Sequence, residues 1–129
     1  MEFTKKMQET LDRAGQHELQ IDCDNNYEML TYLKTINEYE YIVNIVCYSD
    51  NEADIMISRK FERAELYRIA HVLNNLNMKY RCANFFFDEG YVTVRSSCNR
   101  LNDNSKIVLD EISNCLNIAV KEFDSLLRV

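Results

Sequence analysis

The chain has 129 residues, 47% of them hydrophobic and 28% charged, which fits one folded domain with a core large enough to need neither disulfide nor metal staples, and excludes a disordered chain. The net charge of -6 and the lack of clustered Lys and Arg exclude a nucleic-acid partner bound through its phosphates. No apolar run reaches the roughly 18 residues that span a bilayer, and Glu2 and Gln8 interrupt the stretch where a signal peptide would be apolar, so no membrane association and a cytoplasmic location are predicted.

Taken in order, Phe3, Met7, Leu11 and Ala14 recur at helical spacing. They predict a first helix over 4–14, with Thr4 as N-cap and Gly15 as the residue that ends it. From His17 to Arg59 the period changes to two, with β-branched and aromatic residues separated by Asn, Asp and Glu clusters. An antiparallel meander follows, with strands near 18–23, 28–36, 40–48 and 53–58 and turns at Asp24-Asn25-Asn26, Asn37-Glu38 and Asp50-Asn51-Glu52. A central helix begins between Phe61 and Ala64; Leu66, Ile69, Ala70, Leu73 and Leu76 form its stripe, and Asn77 is its predicted left-handed terminator. Two strands, 82–87 and 91–94, are joined by Asp88-Glu89-Gly90. After the loop Asn102-Asp103-Asn104-Ser105, a last helix carries Val108, Ile112, Cys115, Leu116, Ala119, Phe123 and Leu126 on one side, with Asp110 and Glu111 early enough to meet its dipole. The fold class is α+β: one domain, an antiparallel sheet with helices on one face, in the order helix, three or four strands, helix, two strands, helix.

The charge surplus falls before Glu65, on residues such as Asp22, Asp24, Glu38, Glu40 and Asp54, and reads as solvated turns and edges or as a surface for a basic partner. Five widely spaced cysteines, Cys23, Cys47, Cys82, Cys98 and Cys115, form neither a disulfide framework nor a zinc spacing, and read as reduced, mostly buried thiols. The carboxylate pairs Asp22/Asp24, Asp88/Glu89 and Asp110/Glu111 read as turns or helix starts, and His71 as a partly buried packing residue. With two glycines there is no phosphate-cradling loop. No catalytic residue, cofactor or metal is therefore predicted.

The better-supported candidate is a surface. Alternation along the longest strand sends Tyr39, Tyr41, Val43, Ile45 and Cys47 inward and leaves Ile42, Asn44, Val46 and Tyr48 outward. Met56 and Phe86 join the outer set, as do Tyr32 and Tyr91, so Ile42, Val46, Met56 and Phe86 are the predicted interface.

At Leu73-Asn74-Asn75-Leu76-Asn77, followed by Tyr80-Arg81, Phe85-Phe86-Phe87 and Asp88-Glu89-Gly90, the chain resembles the bacterial YbjN-like family. The pattern is Asn-x-x-Asn at a helix end, a strand, an acidic turn and a second strand, with Asn74, Asn77 and Asp88 as its motif residues. The resemblance is strongest over 64–94, and the hairpin over 18–36 has no matching motif. It implies a fold similar to type III secretion chaperones, a tendency to form homodimers, and a non-catalytic protein-binding role, chaperone-like or regulatory in bacterial signalling or stress response. From the residues alone, Asn74 and Asn77 can equally hold orphan carbonyls or the next strand's backbone, and a small-molecule or enzymatic domain with an unrecognised pocket is the alternative.

Overall fold

A computed structural model describes residues 1–99, 101 and 104–126. The first helix, α1 (Glu2–Arg13), begins two residues before the predicted start. Thr4 is buried within it rather than capping it, because the cap comes from a distant residue: the Asp50 carboxylate accepts the Phe3 N–H at 3.1 Å. Its end is as predicted. Gly15 takes φ +93°, the Gly15 N–H donates to the Asp12 carbonyl, and the Gln16 N–H donates to the Leu11 carbonyl, a Schellman motif.

Four strands follow, β1 (Gln20–Cys23), β2 (Glu28–Ile36), β3 (Tyr39–Ser49) and β4 (Glu52–Lys60). Asn37 and Glu38 both take positive φ, the conformation that lets a two-residue turn match strand twist, and this sets Ile36 opposite Tyr39 and Leu30 opposite Ile45. The next helix, α2 (Arg63–Lys79), opens on a capping box in which the Glu62 N–H donates to the Glu65 carboxylate. It outlasts the predicted terminator: Asn77 lies inside it, and the chain leaves through Tyr80 in an extended conformation. A hairpin, β5 (Asn84–Asp88) and β6 (Tyr91–Asn99), turns on Glu89 and Gly90 at positive φ. Asp88 pairs with Tyr91 at that turn. The last helix, α3 (Ser105–Leu126), starts early enough that Asp110 and Glu111 fall beyond its first turn, out of reach of the dipole effect assigned to them. Of its preceding loop, Asn102 and Asp103 lie outside the described residues; Asn104 accepts the Lys106 N–H through its side chain.

The six strands form one antiparallel sheet in the order β1-β2-β3-β4-β6-β5. Register aligns the inward residues across it: Tyr32 with Val43, Val43 with Ile57, Ile57 with Val94, Val94 with Phe85. Over this face lie α1, against β2 and β3, and α3, against β4, β6 and α1, while α2 packs on the edge strand β5. Phe123 of α3 is the hub, its ring 6.4 Å from that of Tyr41, 6.0 Å from Phe61 and 6.2 Å from Phe85. Burying these side chains on one sheet face supplies most of the driving force for folding, at about 25 cal/mol per Å² of apolar area. Tyr32, predicted outward, belongs to this core and is buried against it, which pushes its hydroxyl pKa up to about 12. The register explains the correction, because Tyr32 stands opposite the inward Val43.

Candidate functional site

Because α1 and α3 pack over the inner face and α2 on the edge strand β5, the opposite face of the sheet is left to its own side chains. Ile42, Val46, Met56 and Phe86 all lie on it, as alternation requires. Register gives their arrangement. One row runs Leu33, Ile42, Ser58, Thr93, Phe86; the next runs Thr31, Asn44, Met56, Arg95, Asn84; a third runs Met29, Val46, Asp54, Ser97. Met56 therefore lies diagonally beside both Ile42 and Val46, which are themselves four residues apart along β3, roughly 13 Å, and Phe86 stands three strands from Ile42, roughly 14 Å at the usual strand spacing.

Polar pairs occupy the intervening positions. Ser58 and Thr93 share a hydrogen bond of 2.7 Å and are buried between the apolar groups. Thr31 donates to Asn44 at 2.6 Å. Asp54 accepts from Ser97 at 2.6 Å and from the Tyr48 hydroxyl at 3.0 Å, and burial followed by that carboxylate holds the Tyr48 pKa above its ordinary value. The Arg95 guanidinium sits 5.7 Å from the Phe86 ring centre. The continuous apolar patch predicted here is in fact a chequerboard. Val46, predicted as its exposed centre, is only 7% exposed, since it lies on an interior strand between Met29 and Asp54. Leu33, absent from the predicted outer set, is 52% exposed in the same layer. The two-residue Asn37-Glu38 turn carried the signal, because it sets Leu33 opposite Ile42.

The motif residues separate. Asn74 is exposed on α2, and Asp88 is exposed at the tip of the β5–β6 hairpin. Asn77 instead reaches the neighbouring strand: its Nδ2–H donates to the Phe85 carbonyl at 3.0 Å, and its Oδ1 accepts the Phe85 N–H. Both backbone groups of Phe85 therefore point away from β6, and one side-chain amide takes the place of the strand that would pair there.

Two buried charges tie α3 down. Arg59, 3% exposed, donates to Asp124 at 2.7 Å and lies 3.4 Å from the centre of the Tyr39 ring, while its Nε has no partner. Glu122 accepts from Lys79 and from the Tyr80 hydroxyl, each at 2.9 Å. Burial pushes the Glu122 carboxyl up, but these two donors outweigh it and hold the pKa below the ordinary value. Histidine plays no such part: His71, predicted half-buried, is exposed, because the α2 stripe that faces the core is only Ile69, Leu73 and Leu76 wide. His17 pairs with Asp12 at 2.6 Å on the surface. Cys47, Cys98 and Cys115 are buried, which pushes their thiols up to about 11, 11 and 12, whereas Cys23 and Cys82 are exposed. Among the described residues no group of three or more His, Cys, Asp and Glu side chains could hold a metal ion, and no helix is long and apolar enough to cross a membrane.

No protein-family model matches the chain, and no curated protein matches it significantly.

Proposed function

We propose that this chain is a non-catalytic protein-binding module, chaperone-like or regulatory as its resemblance to the YbjN-like family implies, and that it works as a homodimer. The observation that carries the reading is the uncovered sheet face, where Thr31 pairs with Asn44, Ser58 with Thr93 and Ser97 with Asp54, and where the half-buried Ile42, Met56 and Phe86 and the exposed Leu33 lie among them. Covering such a face leaves those three pairs satisfied, and a two-fold axis through it is the simplest way to cover it.

Met56→Lys tests this. Met56 stands half-buried on the open face between Asn44 and Arg95, so a lysine there costs the fold only about 0.2–1 kcal/mol of like-charge contact with Arg95 while placing a charge inside any such interface. Light scattering should give a dimer mass for the wild type and a monomer mass for the variant, with unchanged circular dichroism. A wild-type monomer at all concentrations, or a variant with unaltered mass, overturns the reading.

A further inference from the structure

The two edges of the sheet are finished differently. At β5 the amide of Asn77 takes both free backbone groups of Phe85. At the other edge β1 is four residues long and pairs only with Glu28–Thr31, whereas β3 pairs with β2 along its whole length to Ile36. Tyr32 to Ile36 are thus bonded on one side alone, and every second residue turns an N–H and a C=O outward. Among the described residues no strand fills that position.

Space is present beside that edge. A cavity of about 250 Å³ separates Gln16 and Glu18 from Tyr32 and Leu33. A second, of about 280 Å³, opens on the inner face beside Tyr32 and Lys34, floored by Leu11 of α1 and Ile112 and Leu116 of α3. A strand laid along β2 would send alternate side chains into the second cavity and the others over exposed Leu33. Acidic groups stand at both ends of the open stretch: Glu18 at the Tyr32 end, and Glu38 with Glu40 at the Ile36 end, where Glu40 is opposite Thr35. Its middle is Lys34.

We infer that the open half-edge Tyr32–Ile36 takes an extended segment of a partner protein as an added strand, one with an apolar centre and Lys or Arg at both ends. Five residues of strand cover roughly 16 Å, so the two basic residues are about four to six positions apart. Lys34 excludes a basic residue at the centre. It also argues against a second copy of this chain, since two-fold pairing over the same stretch sets Lys34 opposite Lys34. The inference rests on the protein-binding reading and names its partner.

The probe is the peptide acetyl-Lys-Thr-Val-Leu-Val-Thr-Lys-amide, added to the intact chain while backbone amide exchange is followed by NMR. Exchange should slow at alternate residues of Tyr32–Ile36. Glu18→Lys combined with Glu38→Lys should weaken binding at least about tenfold, with unchanged circular dichroism because both side chains are exposed. N-methylation at alternate peptide residues should abolish binding in one of the two phases. The inference is overturned by no binding, by equal binding of a peptide with glutamate at both ends, by protection around Met56 instead, or by protection of the β2 edge without peptide in a particle of doubled mass. The mass of Met56→Lys is measured separately, so failure at the edge and failure of the dimeric reading are distinguishable.

Discussion

Asn77→Ala would remove the group that closes the β5 edge. Two hydrogen bonds are lost, Nδ2–H to the Phe85 carbonyl and Phe85 N–H to Oδ1. At roughly 0.5–1.5 kcal/mol net for each, the variant should lose about 1–3 kcal/mol, toward the lower end because Asn77 is exposed and water can reach the freed groups. For a domain of this size that is a fall of roughly 3–10 °C in melting temperature. Asn77→Asp is the informative companion. A carboxylate still accepts the Phe85 N–H but has nothing to donate to the carbonyl, so it should fall between wild type and alanine. Urea titration gives the free energies, and amide exchange at Phe85 shows whether the loss is local. If Asn77→Ala changes stability by less than about 0.5 kcal/mol and leaves Phe85 exchange unaltered, the edge is held by the β5–β6 ladder alone and the reasoning fails.

Two further outcomes follow from burial and charge. Thiol labelling of the native chain should modify Cys23 and Cys82 quickly and Cys47, Cys98 and Cys115 only on unfolding, because burial both shields these three and raises their pKa; rapid labelling of all five would refute the packing of α3 on β6. The Glu122 pKa is lowered in the fold, so its contribution is present above the unfolded carboxylate pKa and is lost as pH falls through the folded value. Urea midpoints measured from about pH 6 to about pH 3 should therefore drop less steeply for Glu122→Gln than for wild type, and parallel curves would refute the coupling of Glu122 to Lys79 and Tyr80.

What the sequence determined by itself is what depends on near neighbours along the chain. Alternation in β3 fixed which side of the sheet faces the helices, the two-residue turn at Asn37-Glu38 fixed the β2–β3 register, and Gly15 fixed the end of α1, since each is set by local backbone geometry and a period of two or 3.6 residues. What only the tertiary structure decided is what depends on partners far away in sequence. Periodicity ends β6 at Val94 but the strand runs to Asn99, because its polar end, Arg95 to Asn99, has weak strand propensity of its own and is held by the ladder from β4. Asp50 caps a helix nearly fifty positions earlier, and Asn77 acts on a strand instead of ending its own helix. The outer face shows the same division. Alternation placed Ile42, Val46, Met56 and Phe86 on one side, but their spacing, and the Ser58–Thr93 pair that divides them, come from the order in which the strands lie side by side. That order places β6 between β4 and β5, and packing of α2 and α3 over the shared core, not any local pattern in the chain, selects it.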